Sequence, residues 1–280
     1  MRFDDRHEVV VTGSWTDEMA QAVESGVADR VVLNHALGYD ERDLYFLQYL
    51  PIRELVILDR RITDLTPVYT LAPRLEFLDV EVDPATRVDV AALPNLRDLS
   101  ANWVQVAETV SAGKRLRRLA VDGYQADDLA PLAGLRELSA LSMRERPRIR
   151  SVNGLSEFLL LEQLSIFLAA GLVDVADLRG RDLLTILELE GCRKLASLAD
   201  LAGCTALRVL NLAEGGELES AAPLAGLVRL EELYLYGTTK FLDGDLSPLA
   251  GLPRLQELRM QNRRHYKPSV NDIRAGLHRG

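Results

Sequence analysis

The chain has 280 residues, a net charge of -9, 27% charged residues and 48% hydrophobic ones. That balance excludes a disordered chain. The negative sign argues against a nucleic-acid binder, whose affinity rests on Lys and Arg neutralising phosphates. Leucine is the outlier: 52 residues, about one in five, against 6% aromatics.

Residues 1–27 open with MRFDDRHEVVVTGSW, which lacks a basic segment followed by a long apolar run. No signal peptide is therefore read there, no stretch of 18 apolar residues follows anywhere, and cytoplasm is the expected compartment. Val9-Val10-Val11 is a strand candidate. Ser14, Thr16 and Asp17 supply helix-start chemistry, and Gly26 can end that helix, with Met19, Ala22 and Val23 facing the core. The segment is expected to be an N-terminal cap.

From residue 28 the chain repeats itself. DLAPLAGL (128–135), SLADLAGC (197–204), SAAPLAGL (220–227) and DLSPLAGL (245–252) are near copies, and DLTPVYTL (64–71) is a weaker one. Each is followed by an L-x-x-L-x-L unit, clearest at Leu207, Leu210, Leu212 and at Leu230, Leu233, Leu235. The units start at 28, 52, 75, 96, 116, 138, 161, 184, 207, 230 and 255, so the spacing stays between 20 and 25. A helical array would need apolar residues at helical spacing, and the L-x-L alternation breaks it. The alternation suits a short strand with one buried face.

This pattern resembles the leucine-rich repeat family over residues 28–266, nearer its short-repeat, internalin-like class than the horseshoes with long helices. The resemblance implies an α/β solenoid of about 11 repeats of 20–25 residues. It has a parallel sheet on the concave side and short 3₁₀ or irregular segments on the convex side. One unbroken solenoid with no second domain is expected. The family pattern places Asn, Cys or Thr three residues after the last strand leucine, to satisfy backbone groups in the turn. Here only Asp83, Cys192 and Thr238 in that column suit the role. Either the register drifts in the early repeats or the turns are irregular.

The far end of the array, 261–268, reads QNRRHYKP and replaces the apolar turn of a normal repeat. A cap and a binding site are both open readings of it. The tail 267–280 is short and polar and is expected to be partly mobile. Cys192 and Cys204 read as small buried thiols rather than a metal or redox pair, since no second pair or His cluster completes a site. His7, His35, His265 and His278 sit in no metal or nucleophile motif, and Asp243-Gly244-Asp245 lacks the later ligands of a calcium loop. No catalytic residue, metal or cofactor is expected.

The outward positions of the repeats carry twelve acidic residues against four basic ones. A curved acidic surface speeds encounter with a basic partner. Exposed Trp and Tyr are the usual anchors of an interface. The expected partner-binding residues are Asp79, Glu81, Asp98, Trp103, Asp122, Glu188, Glu190, Glu232, Tyr234, Tyr236, Arg259 and Gln261. Two functions follow. The first is a non-enzymatic scaffold that binds a basic protein, as an inhibitor, immunity or regulatory adaptor protein, with no nucleic acid or membrane involved. The second is an enzyme or small-ligand protein built on Tyr234, Tyr236, Asp243, Asp245, Arg263 and His265. The Arg-rich, Lys-poor composition, with only four lysines, points to a bacterial source.

Overall fold

The structure is a computed structural model that describes residues 7–277. The outermost parts of the expected cap and tail, residues 1–6 and 278–280, with His278, lie outside the described residues. The chain packs as two compact units. The first runs to Asp122 and takes in Gly134–Leu138; the second comprises Gly123–Ala133 and residues from Ser139 onward.

The first unit carries six parallel strands in chain order: β1 (Glu8–Val11), β2 (Arg30–Asn34), β3 (Glu54–Leu58), β4 (Phe77–Glu81), β5 (Asp98–Asn102) and β6 (Arg118–Asp122). The second carries six more: β7 (Ala140–Arg144), β8 (Gln163–Ile166), β9 (Ile186–Glu188), β10 (Val209–Asn211), β12 (Glu232–Leu235) and β14 (Glu257–Met260). A small parallel pair, β11 (Glu217–Leu218) and β13 (Lys240–Phe241), lies in the return segments. Short helices complete the chain: α1 (Asp17–Glu24), α2 (Thr66–Tyr69), α3 (Trp103–Val106), α4 (Ser247–Ala250) and α5 (Val270–Leu277).

The register settles the ambiguity left by the turn column. Within the first unit the third residue of each repeat pairs in one row, Arg30–Glu54–Phe77–Asp98–Arg118. Within the second the row is Ala140–Gln163–Ile186–Val209–Glu232–Glu257. The repeat starts read from the sequence therefore hold in every copy, and the turns are what vary. β1 adds one strand before the first repeat, with Glu8 beside Arg30.

The fourth and sixth positions of each repeat point inward and are buried, from Val31 and Leu33 to Leu258 and Met260. Burying one such leucine stabilises by about 1.5–3 kcal/mol. No repeat could bury its own leucines alone, so stacking forms the core.

The return segments explain the repeated Asp or Ser before Leu-x-Pro-Leu. Each side chain accepts from the amide two residues on: Asp64 from Thr66 at 2.8 Å, Asp128 from Ala130 at 3.0 Å, Ser220 from Ala222 at 3.0 Å, Asp245 from Ser247 at 2.9 Å. The proline sits in the first turn of the short helix, where its missing N–H costs nothing. The three suitable residues of the turn column all meet backbone groups: Thr238 donates to the Gly215 carbonyl at 2.6 Å, the Cys192 thiol is directed at the Ile166 carbonyl, and Asp83 accepts from the Ala85 amide at 2.9 Å. Next to Thr238, Thr239 donates to the Leu212 carbonyl at 2.6 Å and accepts from the Gly215 amide at 2.9 Å. Buried Gln105, outside that column, donates to the carbonyls of Asp83 and Thr86.

At the two ends, Thr16 caps α1 by accepting from Met19, and Met19 and Val23 are buried. The polar tail is not loose along its described length. It forms α5, with Val270 and Ile273 buried. The Arg274 guanidinium donates to the carbonyls of Leu258 and Met260 at 2.9 and 2.8 Å. It thereby occupies edge acceptors of β14, which a further strand would otherwise claim.

Candidate functional site

The outward side chains of the two units are built from the same residue types and arranged differently. In the first unit the third-position row is a ladder of opposite charges. Arg30 reaches Glu8 at 3.1 Å and Glu54 at 2.5 Å, and its guanidinium lies 5.0 Å over the Phe77 ring. Arg118 pairs with Asp98 at 2.7 Å, and Arg60 reaches Glu81. Asp59, expected among the solvent-facing carboxylates, is only 2% exposed and is gripped by both oxygens by Arg61. Those bonds hold its carboxyl below the usual range, against the opposing effect of burial. Asp79 in β4 forms no ion pair among the described residues. Asp122 ends β6 and is half-buried.

Trp103 is a correction. It is 6% exposed and starts α3, so it is no surface anchor. The chain turns into a helix directly after β5, and Asn102 accepts from the Val104 amide. Strand alternation puts position 103 on the same face as the buried Leu99 and Ala101, so the indole points to the core.

In the second unit the carboxylates are met by neutral donors. The Ser165 hydroxyl donates to Glu188 at 2.7 Å, and the Asn211 amide donates to Glu190 at 3.0 Å. Tyr234 donates to Glu232 at 2.6 Å and stands 3.2 Å from Glu257. The two carboxylates raise the phenol's pKa, the Glu232 hydrogen bond being the largest cause. Arg259 pairs with Glu257 at 2.5 Å and lies 5.4 Å from the Tyr234 ring centre. Tyr236, just past β12, is 38% exposed, and Gln261, just past β14, is exposed. Glu188, Glu190 and Glu232 form no ion pair among the described residues. Glu188 and Glu190 are thus held by neutral hydrogen bonds, while Glu232 also acts electrostatically on Arg208.

Sequence reasoning missed Ser165 and Asn211, which look like ordinary polar residues until the register sets each beside its glutamate. It also missed the partners Glu8 and Arg60. The third-position row, once aligned, would have exposed the charge ladder.

The residues of the catalytic reading fall into two places. Tyr234 bonds on the sheet face, while His265 hydrogen-bonds the Phe241 carbonyl at 3.1 Å among the return segments. Asp243 and Asp245 use their carboxylates on the amides of their own turn. Among the described residues no hydrogen bond joins the two sets. Cys192 and Cys204 are free and buried, each thiol directed at a backbone carbonyl, of Ile166 and Leu178 respectively. Burial pushes their pKa values up to about 12 and about 11. Among the described residues no helix is long and apolar enough to cross a membrane.

No protein-family model matches the chain, and no curated protein matches its sequence. Solved structures do. An internalin (inlF) from Listeria monocytogenes superposes with a TM-score of 0.61 at 18% identity, covering 92% of this chain and 83% of that one. The mouse RP105/MD-1 complex gives a TM-score of 0.55 at 15% identity, covering 84% of this chain and 42% of that one. At such identities the likeness carries the fold and nothing finer. Together with the parallel strands, the constant register and the short return helices, it makes this chain a leucine-rich repeat solenoid of the short-repeat, internalin-like build.

Proposed function

We propose that this protein is a non-enzymatic binding scaffold that engages a basic protein through the outward face of its strands. The reading rests on one observation above the others: Glu188, Glu190 and Glu232 are hydrogen-bonded by neutral donors and form no ion pair among the described residues, on a face that also carries Tyr234 and Tyr236. Fixed, uncompensated charge raises the encounter rate of an oppositely charged partner. Aromatic side chains then supply contact area at low entropic cost. Inhibition of a basic toxin or nuclease, or a regulatory adaptor role, are concrete forms of this function. The catalytic reading loses support because its residues are divided between the strand face and the return segments.

The experiment is affinity capture from the native source, followed by association kinetics with the purified partner across a salt series. A basic partner whose association rate falls steeply with salt is expected, since exposed charges are screened beyond ~8 Å at physiological ionic strength. A partner of acidic surface, or an association rate indifferent to salt, would refute the reading.

A further inference from the structure

In the second unit each strand is preceded by a backbone carbonyl that accepts two consecutive amides of the next repeat. Ser139 takes those of Glu162 and Gln163, Glu162 those of Thr185 and Ile186, Thr185 those of Arg208 and Val209, Arg208 those of Glu231 and Glu232, and Glu231 those of Gln256 and Glu257, all between 2.8 and 3.1 Å. The series ends at Gln256. Its carbonyl meets no donor among the described residues. Arg274 of α5 holds the carbonyls of Leu258 and Met260 further along the same edge, so β14 is closed over its second half and open at its start.

A groove of about 710 Å³ lies at that open start. Its apolar lining comes from Leu252 and Leu255 of the last repeat, from Pro268, and from Ile273 and Leu277 of α5. Leu252 and Leu255 are 6% and 5% exposed, whereas Leu227 and Leu230, their counterparts one repeat earlier, are 0% exposed. A further repeat would lay its own first leucine there and follow it with two amides for the Gln256 carbonyl. At the rim stands Arg254, exposed and in no ion pair among the described residues. It acts on Glu231 only at a distance, and Glu231 is already paired with Arg208 at 2.7 Å. Asp272, also on the rim, holds the amide and hydroxyl of Ser269 with its carboxylate. Arg254 directly precedes Leu255, so in parallel register it lies beside the residue that precedes a docked leucine.

We propose that this groove binds an extended segment of a partner protein that reads acidic residue, Leu or Ile, then two residues with free backbone amides. The segment adds to β14 in parallel, as one more half-strand. Its apolar side chain fills the groove over Leu252 and Leu255, its next two amides donate to the Gln256 carbonyl, and its carboxylate meets Arg254. In such an addition the main-chain bonds supply affinity and the side-chain pocket supplies selectivity. The chain's own segments suit the groove less well. β1 of a second copy is the matching strand, but two residues before Glu8 the sequence has Arg6, a charge at the apolar position. Residues 278–280, His-Arg-Gly, bring no apolar side chain. The site lies at the end of the sheet and is independent of the strand-face reading.

The test uses the full chain, methyl-labelled for NMR, titrated with acetyl-Gly-Asp-Leu-Thr-Val-Gly-amide. The methyls of Leu252, Leu255 and Ile273 should shift saturably while those of Leu210 stay unmoved. An analogue with Ser in place of Leu should bind at least ~10-fold more weakly. One N-methylated at the Thr and Val amides should lose ~5-fold, and one with Lys in place of Asp ~3-fold. Arg254→Glu should reverse the preference between the Asp and Lys peptides. Gly276 is an exposed groove residue of α5 where an added Cβ meets nothing within 4 Å, so Gly276→Leu should fill the groove and abolish binding with thermal unfolding unchanged. Unmoved Leu252 and Ile273 methyls, or equal binding of the Ser or N-methyl peptide, overturns the proposal. So do shifts at these methyls that grow with protein concentration alone, which assign the groove to a second copy. Binding that requires removal of residues 278–280 assigns it to the chain's own end and overturns the proposal as well.

Discussion

The outward positions of each unit carry six acidic and two basic residues in the sequence, yet the units present different electrostatics. In the first, Glu8, Arg30 and Glu54 neutralise one another along a single row, Asp98 takes Arg118, Glu81 takes Arg60, and Asp59 is buried under Arg61. In the second, serine, asparagine and tyrosine take the places that arginine holds in the first. Exposed ion pairs contribute little to stability, about 0–1 kcal/mol each. Their effect here is on potential: arginine counters Glu54, Asp59, Glu81 and Asp98 in the first unit, whereas in the second Glu257 alone of the outward carboxylates pairs with an arginine among the described residues. Charge counting alone cannot distinguish the two, because neutralisation depends on which strand lies next to which.

The largest effect should come from the feature the units share. Leu55→Ala in the first unit and Leu233→Ala in the second each remove a fully buried side chain and should cost about 2–5 kcal/mol. Both tryptophans, Trp15 and Trp103, lie in the first unit, so tryptophan emission follows that unit's unfolding, and far-UV circular dichroism follows both. A loss below about 1 kcal/mol at either site would show that the leucine rows are not the dominant core.

Next in size is the exposed tyrosine of the second unit's face. Tyr236→Ala should speed dissociation of the complex by about 30-fold, corresponding to ~2 kcal/mol at a hot spot, with little change in association. Thermal unfolding of the free protein should hardly move, because the ring faces solvent. An unchanged complex lifetime would remove Tyr236 from the interface.

The contrast itself is tested by charge reversal. Glu188→Lys with Glu190→Lys should slow association by about tenfold at low salt and flatten its salt dependence. Removing a whole pair in the first unit, Asp98→Asn with Arg118→Gln, should change the rate less than about twofold, since the pair carries no net charge. Equal effects at the two places would erase the distinction between the faces.

The smallest effect concerns the buried thiols, both in the second unit. Their folded pKa values, about 12 and about 11, lie above the ordinary thiol value of 9.0. The folded state therefore holds its protons longer than the unfolded one, and this contribution is fully present below pH 9.0 and lost as pH rises toward 11 to 12. The urea midpoint should fall across that window. The fall should be shallower in a Cys192→Ala, Cys204→Ala variant, with the raised tyrosines Tyr39 and Tyr124 supplying the remainder. An identical slope in the variant would mean the thiols do not contribute.

The repeat starts, the strand positions, the buried leucine rows and the short return turns were all legible in the chain. Each depends on local spacing: a period of two within a strand and of 20–25 between strands leaves one stacking register that buries the fourth- and sixth-position rows. The outward placement of Glu188, Glu232, Tyr234 and Arg259 was legible for the same reason, since alternation alone sets it. Two things were decided only by the tertiary structure: α5 closed the edge of β14 through Arg274, and arginine countered most outward carboxylates of one unit but not of the other. Each turns on contacts between residues some 14 to 24 positions apart, and a side chain's charge acts on whatever neighbour packing brings within a few ångströms, not on the neighbour in sequence.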